Sequence, residues 1–104
     1  MLTEKINHIE QSILALVRAR FPTADVFSFG AVDLSPEYLA IWIKTDTDAQ
    51  RDELDHDATF RETLRNVLVQ ENYPAEAIAH VSFAFQSEET VARDYGGNWW
   101  YAVK

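Results

Sequence analysis

The stretch YLAIWIKT, residues 38–45, decides the fold, because its apolar residues alternate along the chain. In an extended chain Leu39, Ile41 and Ile43 share one side, while Tyr38 and Trp42 lie on the opposite side. Alternation of this kind predicts a strand with one face in the core and one face that meets solvent or a partner.

A second β-rich run, residues 26–34, precedes this strand across the turn residues 35–37. The two runs are predicted to pair as an antiparallel hairpin. In the earlier run Phe27 and Phe29 fall on one side and Ser28 on the other, and we expect the aromatic side to join the core. A third strand is predicted over residues 78–86, and a last one over residues 99–103. Ser87 should cap a short helix between them.

Two long helices complete the pattern. Residues 3–20 carry apolar side chains at three- and four-residue spacing, and a similar stripe leads from a start between residues 48 and 57 to an end near residue 72. The predicted fold class is α+β, with two helices packed on one face of a four-stranded, mainly antiparallel sheet in the order α-β-β-α-β-(short α)-β. The expected core comprises Ile9, Ile13, Leu16, Phe27, Phe29, Ile41, Ile43, Leu64, Leu68, Val81 and Phe83.

Length and composition fit one domain spanning residues 1–104. The chain is 47% hydrophobic and 25% charged, close to ordinary globular proteins. Its purely apolar runs, such as residues 14–17, are far shorter than the ~20 residues that span a bilayer. The first residues do not resemble a signal peptide, and we expect a cytoplasmic protein. Zero cysteines exclude disulfides and thiolate chemistry.

The net charge restricts the partners. Seventeen acidic residues against nine basic ones give a formal charge of −8. Such a protein repels nucleic-acid phosphates and anionic lipids and attracts basic partners. We therefore expect no nucleic-acid or membrane binding.

The acidic residues concentrate between residues 33 and 57, where two basic residues oppose eight acids. One interpretation is a solvated helix start, where the helix dipole favours acids. The other is an electronegative patch that steers a basic partner. The eight acids are Asp33, Glu37, Asp46, Asp48, Asp52, Glu53, Asp55 and Asp57.

The sequence contains no complete motif for metal binding or catalysis. Asp46, Asp48 and Asp57 match some ligand positions of a calcium loop, but Arg51 stands where that loop needs glycine. The three histidines do not follow a zinc spacing, and only His56 has acidic neighbours in sequence. No nucleophile elbow, phosphate loop or dinucleotide fingerprint is present. We predict no cofactor, no metal site and no enzymatic activity.

The aromatic residues favour a binding surface. Trp42 and Tyr38 point away from the apolar side of their strand, and the consecutive aromatics of residues 99–101 must send rings to both faces of a strand. Either another segment covers these rings or they form a protein interface. The predicted partner-binding residues are Asp33, Glu37, Tyr38, Trp42, Asp46, Asp48, Asp52, Asp55, Asp57 and Trp100.

In size, acidity and lack of cysteine the chain resembles the small immunity proteins that bacteria pair with secreted toxins, including those of contact-dependent inhibition systems. The resemblance lies in overall character and implies a stoichiometric inhibitor of a basic toxin domain, most often a nuclease. We expect a monomer or weak homodimer. A self-associating structural subunit, or a small-ligand enzyme without a recognisable motif, stays open as an alternative.

Overall fold

A computed structural model describes residues 2–103. Within that range the fold is α+β, as predicted, with six α-helices, one short 3-10 helix and three strands. In chain order the elements are α1 (Leu2–Arg20), β1 (Asp25–Phe29), the 3-10 helix (Pro36–Tyr38), β2 (Ala40–Thr45), α2 (Asp48–Asp55), α3 (Ala58–Gln70), α4 (Ala75–Ile78), β3 (Ser82–Ser87), α5 (Glu88–Tyr95) and α6 (Trp99–Val103).

The sheet has the order β1-β2-β3, with β2 in the centre. Strands β1 and β2 pair antiparallel, which confirms the predicted hairpin, and Phe27 lies opposite Trp42. Strand β3 pairs parallel to β2, with Phe83 opposite Ile41. The sheet is therefore mixed, and the prediction of a mainly antiparallel sheet was wrong. The chain between β2 and β3 contains α2, α3 and α4, which is long enough for a crossover connection.

Helices α1 and α3 lie against one face of the sheet. From α1, Glu10 accepts a hydrogen bond from Ser28 of β1, while Arg65 of α3 lies over the ring of Phe83 in β3. Ile41 and Ile43 are completely buried between sheet and helices. We call this the inner face of the sheet, and a single cluster of buried apolar side chains fills it.

The second long helix of the prediction is two helices. Thr47 begins α2 with a capping box, in which its side chain accepts from the Gln50 N–H. Asp57 then caps α3 by accepting from the Phe60 N–H, so the chain turns at His56. The apolar stripe predicted α3. The sequence pattern did not show that Thr47 and Asp57 each cap a separate helix.

Residues 99–103 form helix α6, so the predicted fourth strand was wrong. Gly96 adopts a left-handed backbone conformation, with φ of 59°, and ends α5. Asn98 then accepts a hydrogen bond from the Tyr101 N–H at 3.3 Å, which is the contact of a helix N-cap. The aromatic composition favours a strand, but these two local signals favour a helix.

Strand β1 presents its aromatic side outwards, so the prediction that Phe27 and Phe29 belong to the core was wrong. In the register of the hairpin, Val26 lies opposite Ile43 and Ser28 lies opposite Ile41. Opposed residues point to the same face, so Phe27 and Phe29 share the other face with Trp42. Ser28 is accommodated on the inner face by its hydrogen bond to Glu10.

Candidate partner-binding surface

The face of the sheet opposite the helices α1 and α3 carries a group of stacked rings. Trp42 in β2 stacks with Phe27 and Phe29 of β1, at ring-centroid distances of 6.2 and 6.3 Å. Trp42 is half-buried beneath its neighbours, whereas Phe29 is 45% exposed. Together with Trp99 and Trp100 of α6 we call these residues the outer aromatic face.

Helix α6 is held at the side of this face by Trp99. The Trp99 ring meets Phe27 edge-on with centroids 5.9 Å apart, and its indole N–H donates to Glu88 Oε2 at 3.1 Å. Lys44 Nζ lies 5.4 Å from the Trp99 ring centroid and 2.6 Å from Glu88 Oε1. The hydrogen bond from Lys44 holds the pKa of Glu88 below its ordinary value, with the Trp99 N–H acting in the same direction.

A groove of about 540 Å³ opens between α6 and β1. Its walls are almost entirely apolar, and Trp100 beside it is 71% exposed. Solvent-exposed rings of this size at a concave surface are typical of a protein interface. The lining residues are Phe27, Phe29, Trp99, Trp100 and Val103.

The acidic segment of residues 46–57 is largely neutralised by arginines that the fold brings to it. It contains six carboxylates, and four arginines pair with five of them. Only Arg51 belongs to the segment itself, so sequence position could not reveal the other three. They come from α1, α3 and α5 and are Arg20, Arg61 and Arg93.

Asp48 is the most strongly held of these acids. Its carboxylate accepts hydrogen bonds from the Ser87 and Thr90 hydroxyls, both at 2.5 Å, and from Arg93 at 3.0 Å. These hydrogen bonds, with the one from Ser87 foremost, hold the pKa of Asp48 well below its ordinary range. Asp48 therefore connects the start of α2 to α5 and has a structural explanation.

The other sequence-predicted acids in this segment have similar contacts. Asp57 caps α3 and pairs with Arg20, and the Phe60 N–H followed by Arg20 lowers its pKa. Asp52 pairs with the neighbouring Arg51 at 3.0 Å, and Asp55 pairs with Arg61. Asp46 accepts a hydrogen bond from the Thr23 hydroxyl.

Asp33 and Glu37 differ from these acids. They lie in the connection of residues 30–39 between β1 and β2, at the opposite end of β2 from the acidic segment. Within residues 2–103 neither side chain has an ion-pair or hydrogen-bond partner. The same connection exposes Tyr38 and Leu34, the latter at 82%.

The structure thus separates the sequence-predicted residues into three groups. Trp42 and Trp100 share the outer aromatic face, while Asp33, Glu37 and Tyr38 lie in the connection next to its Phe29 end. The remaining five aspartates lie at the other end of β2. Sequence reasoning missed Phe27, Phe29, Trp99 and Leu34 as candidate binding residues. Pairing β1 with β2 in the register that places Phe27 opposite Trp42 would have found the first two.

Groups of candidate metal ligands and candidate membrane-spanning helices are both absent from the described range. Among residues 2–103 no group of three or more His, Asp or Glu side chains is arranged to hold a metal ion. Over the same range no helix is long and apolar enough to cross a membrane. His8 in α1 and His56 and His80 in the turns after α2 and α4 are all exposed.

Comparisons with protein-family models, curated sequences and solved structures give no match to this chain. The resemblance to immunity proteins therefore stays a prediction. The outer aromatic face and the connection of residues 30–39 have the geometry and charge from which a function can be inferred.

Proposed function

We propose that this protein is a small cytoplasmic binding inhibitor, which neutralises a basic nuclease-type toxin by forming a stoichiometric complex with it, as immunity proteins do. The observation that carries the proposal is the outer aromatic face. Phe29 and Trp100 leave large apolar rings in contact with water, although helices α1 and α3 cover the opposite face of the same sheet.

Aromatic anchors of this kind supply most of the affinity at protein interfaces. The charge of −8 adds long-range attraction to a basic partner, which raises the rate of association more than the final affinity. Because arginines neutralise most of the acidic segment, we assign the close contacts to the aromatic face. We assign the steering to the net charge.

Self-association is the second candidate, because the same apolar face could cover the face of another copy. The charge opposes this arrangement, since each copy carries −8. For an enzyme we expect a pocket with convergent titratable groups, whereas the groove is lined by apolar side chains.

The test is a titration of toxin activity. Candidate basic nuclease domains encoded by neighbouring genes are each mixed with increasing amounts of the full chain, and cleavage of a DNA or RNA substrate is measured. We expect inhibition to be complete at a one-to-one ratio. Nuclease activity that persists at molar excess, with no complex in size-exclusion chromatography, would contradict the proposal.

Two variants control for the surface that is used. Trp100→Ser removes an exposed ring of the outer aromatic face, and we expect it to weaken inhibition. Val69→Ser changes a residue that is 56% exposed on α3, on the other side of the sheet, and should leave inhibition unchanged. Equal behaviour of the two variants would remove the outer aromatic face from the proposal.

A further inference from the structure

We propose that the segment recognised by the outer aromatic face is cationic and amphipathic. An apolar side chain of that segment enters the groove, and an adjacent Lys or Arg pairs with Asp33 and Glu37. This inference rests on the proposed function, because it specifies the chemistry of the partner at the same surface.

The connection that carries the two carboxylates begins where the groove ends. Phe29 is the last residue of β1 and lines the groove, and Gly30 follows it directly at the start of the connection. Phe29 also lines a second cavity of about 210 Å³, which lies towards α1 and includes Gly30 and Val32, the residue before Asp33. A ligand that extends along the groove past Phe29 therefore reaches the connection.

The connection is held in place before any partner binds. Gly30 has a φ of 139°, and a Cβ atom there would collide with the Tyr38 carbonyl oxygen, so the two ends of the connection touch. Farther along, the Tyr73 hydroxyl donates to the Pro36 carbonyl at 2.5 Å. Ordering a loop on binding costs affinity, and a loop that is already fixed avoids much of that cost.

The charges at the two ends of β2 indicate that the cationic side chain of the partner binds at the connection of residues 30–39. At the far end, four arginines already pair with five of the six carboxylates of residues 46–57. Within residues 2–103 the carboxylates of Asp33 and Glu37 have no such partners. A Lys or Arg from another protein can therefore pair with them without displacing an internal contact, and such pairs become stronger as the interface excludes water.

The size of the groove favours a segment of a partner over a second copy of the chain. Its volume of about 540 Å³ falls within the ~300–1,000 Å³ of sites that enclose one ligand. A stable dimer buries about 800 Å² on each partner, with roughly 20–30 residues a side. A second copy would also bring its own charge of −8 to this surface.

The probe is a short synthetic peptide with a Leu-Phe anchor flanked by lysines, compared with the same peptide carrying glutamates in place of the lysines. Neither contains tryptophan, so emission from Trp42, Trp99 and Trp100 reports binding, and calorimetry measures affinity independently. We expect the lysine peptide to bind at least about tenfold more tightly than the glutamate peptide, where tenfold corresponds to about 1.4 kcal/mol.

Two pairs of matched variants locate the site. The double variant Asp33→Asn, Glu37→Gln should weaken binding of the lysine peptide about tenfold. The control Glu4→Gln, Glu62→Gln also removes two negative charges, from exposed positions on α1 and α3, and should change affinity less than about twofold. Trp100→Ser should weaken binding by a similar factor to the first double variant, whereas Val69→Ser should not. Circular dichroism verifies that all four variants fold.

Three outcomes would overturn the inference. If both double variants weaken binding equally, net charge alone attracts the peptide, and the proposed inhibitor could still act at another surface. If the lysine peptide fails to bind, the partner chemistry is wrong, and the toxin titration decides the function separately. If sedimentation shows a dimer of the free protein that Trp100→Ser abolishes, the face belongs to a second copy.

Discussion

The two faces of the sheet carry apolar side chains of different kinds and in different surroundings. On the inner face Ile41 and Ile43 are aliphatic and completely buried under α1, α2 and α3. On the outer face Phe29 of β1 and Trp100 of the short helix α6 are aromatic and stay in contact with water. The comparison indicates that the inner face stabilises the fold, while the outer face retains unburied apolar area that a partner can cover.

The largest expected effect belongs to the inner face. Ile43→Ala removes a completely buried side chain from the centre of the sheet, where the surrounding helices and strands cannot collapse into the space. We expect the free energy of unfolding to fall by ~4 kcal/mol, within the range for such substitutions. Urea denaturation followed by circular dichroism measures it. A loss below about 1 kcal/mol would show that the inner face is less well packed than the structure indicates.

A smaller effect on stability is expected for Trp42→Ala, since Trp42 is half-buried on the outer face. Truncation removes its stacking with Phe27 and Phe29 but opens no enclosed cavity, so we expect a loss of ~2 kcal/mol in place of the ~3–5 kcal/mol typical of a core tryptophan. Partner affinity should fall by ~2 kcal/mol as well, because the floor of the interface is lost.

Measuring denaturation and partner binding on the same Trp42→Ala protein sharpens the comparison of the two faces. If stability falls as far as in Ile43→Ala while the intrinsic affinity is unchanged, Trp42 acts as a core residue. The binding surface would then have to be sought at the acidic segment.

The sequence could predict the inner face but only part of the outer one. The alternation in residues 38–45 is local, and it placed Ile41, Ile43 and Trp42 correctly. The orientation of β1 depends on its register against β2, and a shift of one residue exchanges its two faces. Phe27 and Phe29 were therefore assigned to the core, although Ser28 occupies the inner position with help from Glu10.

The ion pairs of the acidic segment could not be predicted from the sequence for a different reason. Its carboxylates are neutralised by Arg20, Arg61 and Arg93, which are distant in sequence and reach the segment only through tertiary packing. A charge count along the chain includes none of these contacts. Asp33 and Glu37 lie in a connection without nearby bases, but only the fold shows that no distant base of residues 2–103 pairs with them.

The smallest expected effect on stability tests how α6 is held beside the outer aromatic face. Glu88→Gln removes the ion pair with Lys44 and weakens the contact with the Trp99 indole. Both partners of this pair are partly exposed, so we expect a loss of only ~0.5 kcal/mol in the free energy of unfolding. Because Trp99 loses its charged acceptor, α6 should become more mobile. Faster hydrogen exchange at residues 99–103, with unchanged exchange in β2, measures this effect.

The same contact predicts a dependence on pH with a definite direction. The pKa of Glu88 is lowered in the folded protein, mainly by the hydrogen bond from Lys44. The contribution of Glu88 to the free energy of unfolding is therefore complete above the ordinary glutamate pKa of about 4.3. It is lost as the pH falls through the lowered pKa of Glu88 in the folded protein. In the native protein, exchange at α6 should accelerate relative to β2 at acidic pH, whereas in Glu88→Gln this ratio should not vary with pH. A ratio that changes equally in both proteins would show that another group holds α6, and that the outer aromatic face is organised independently of Glu88.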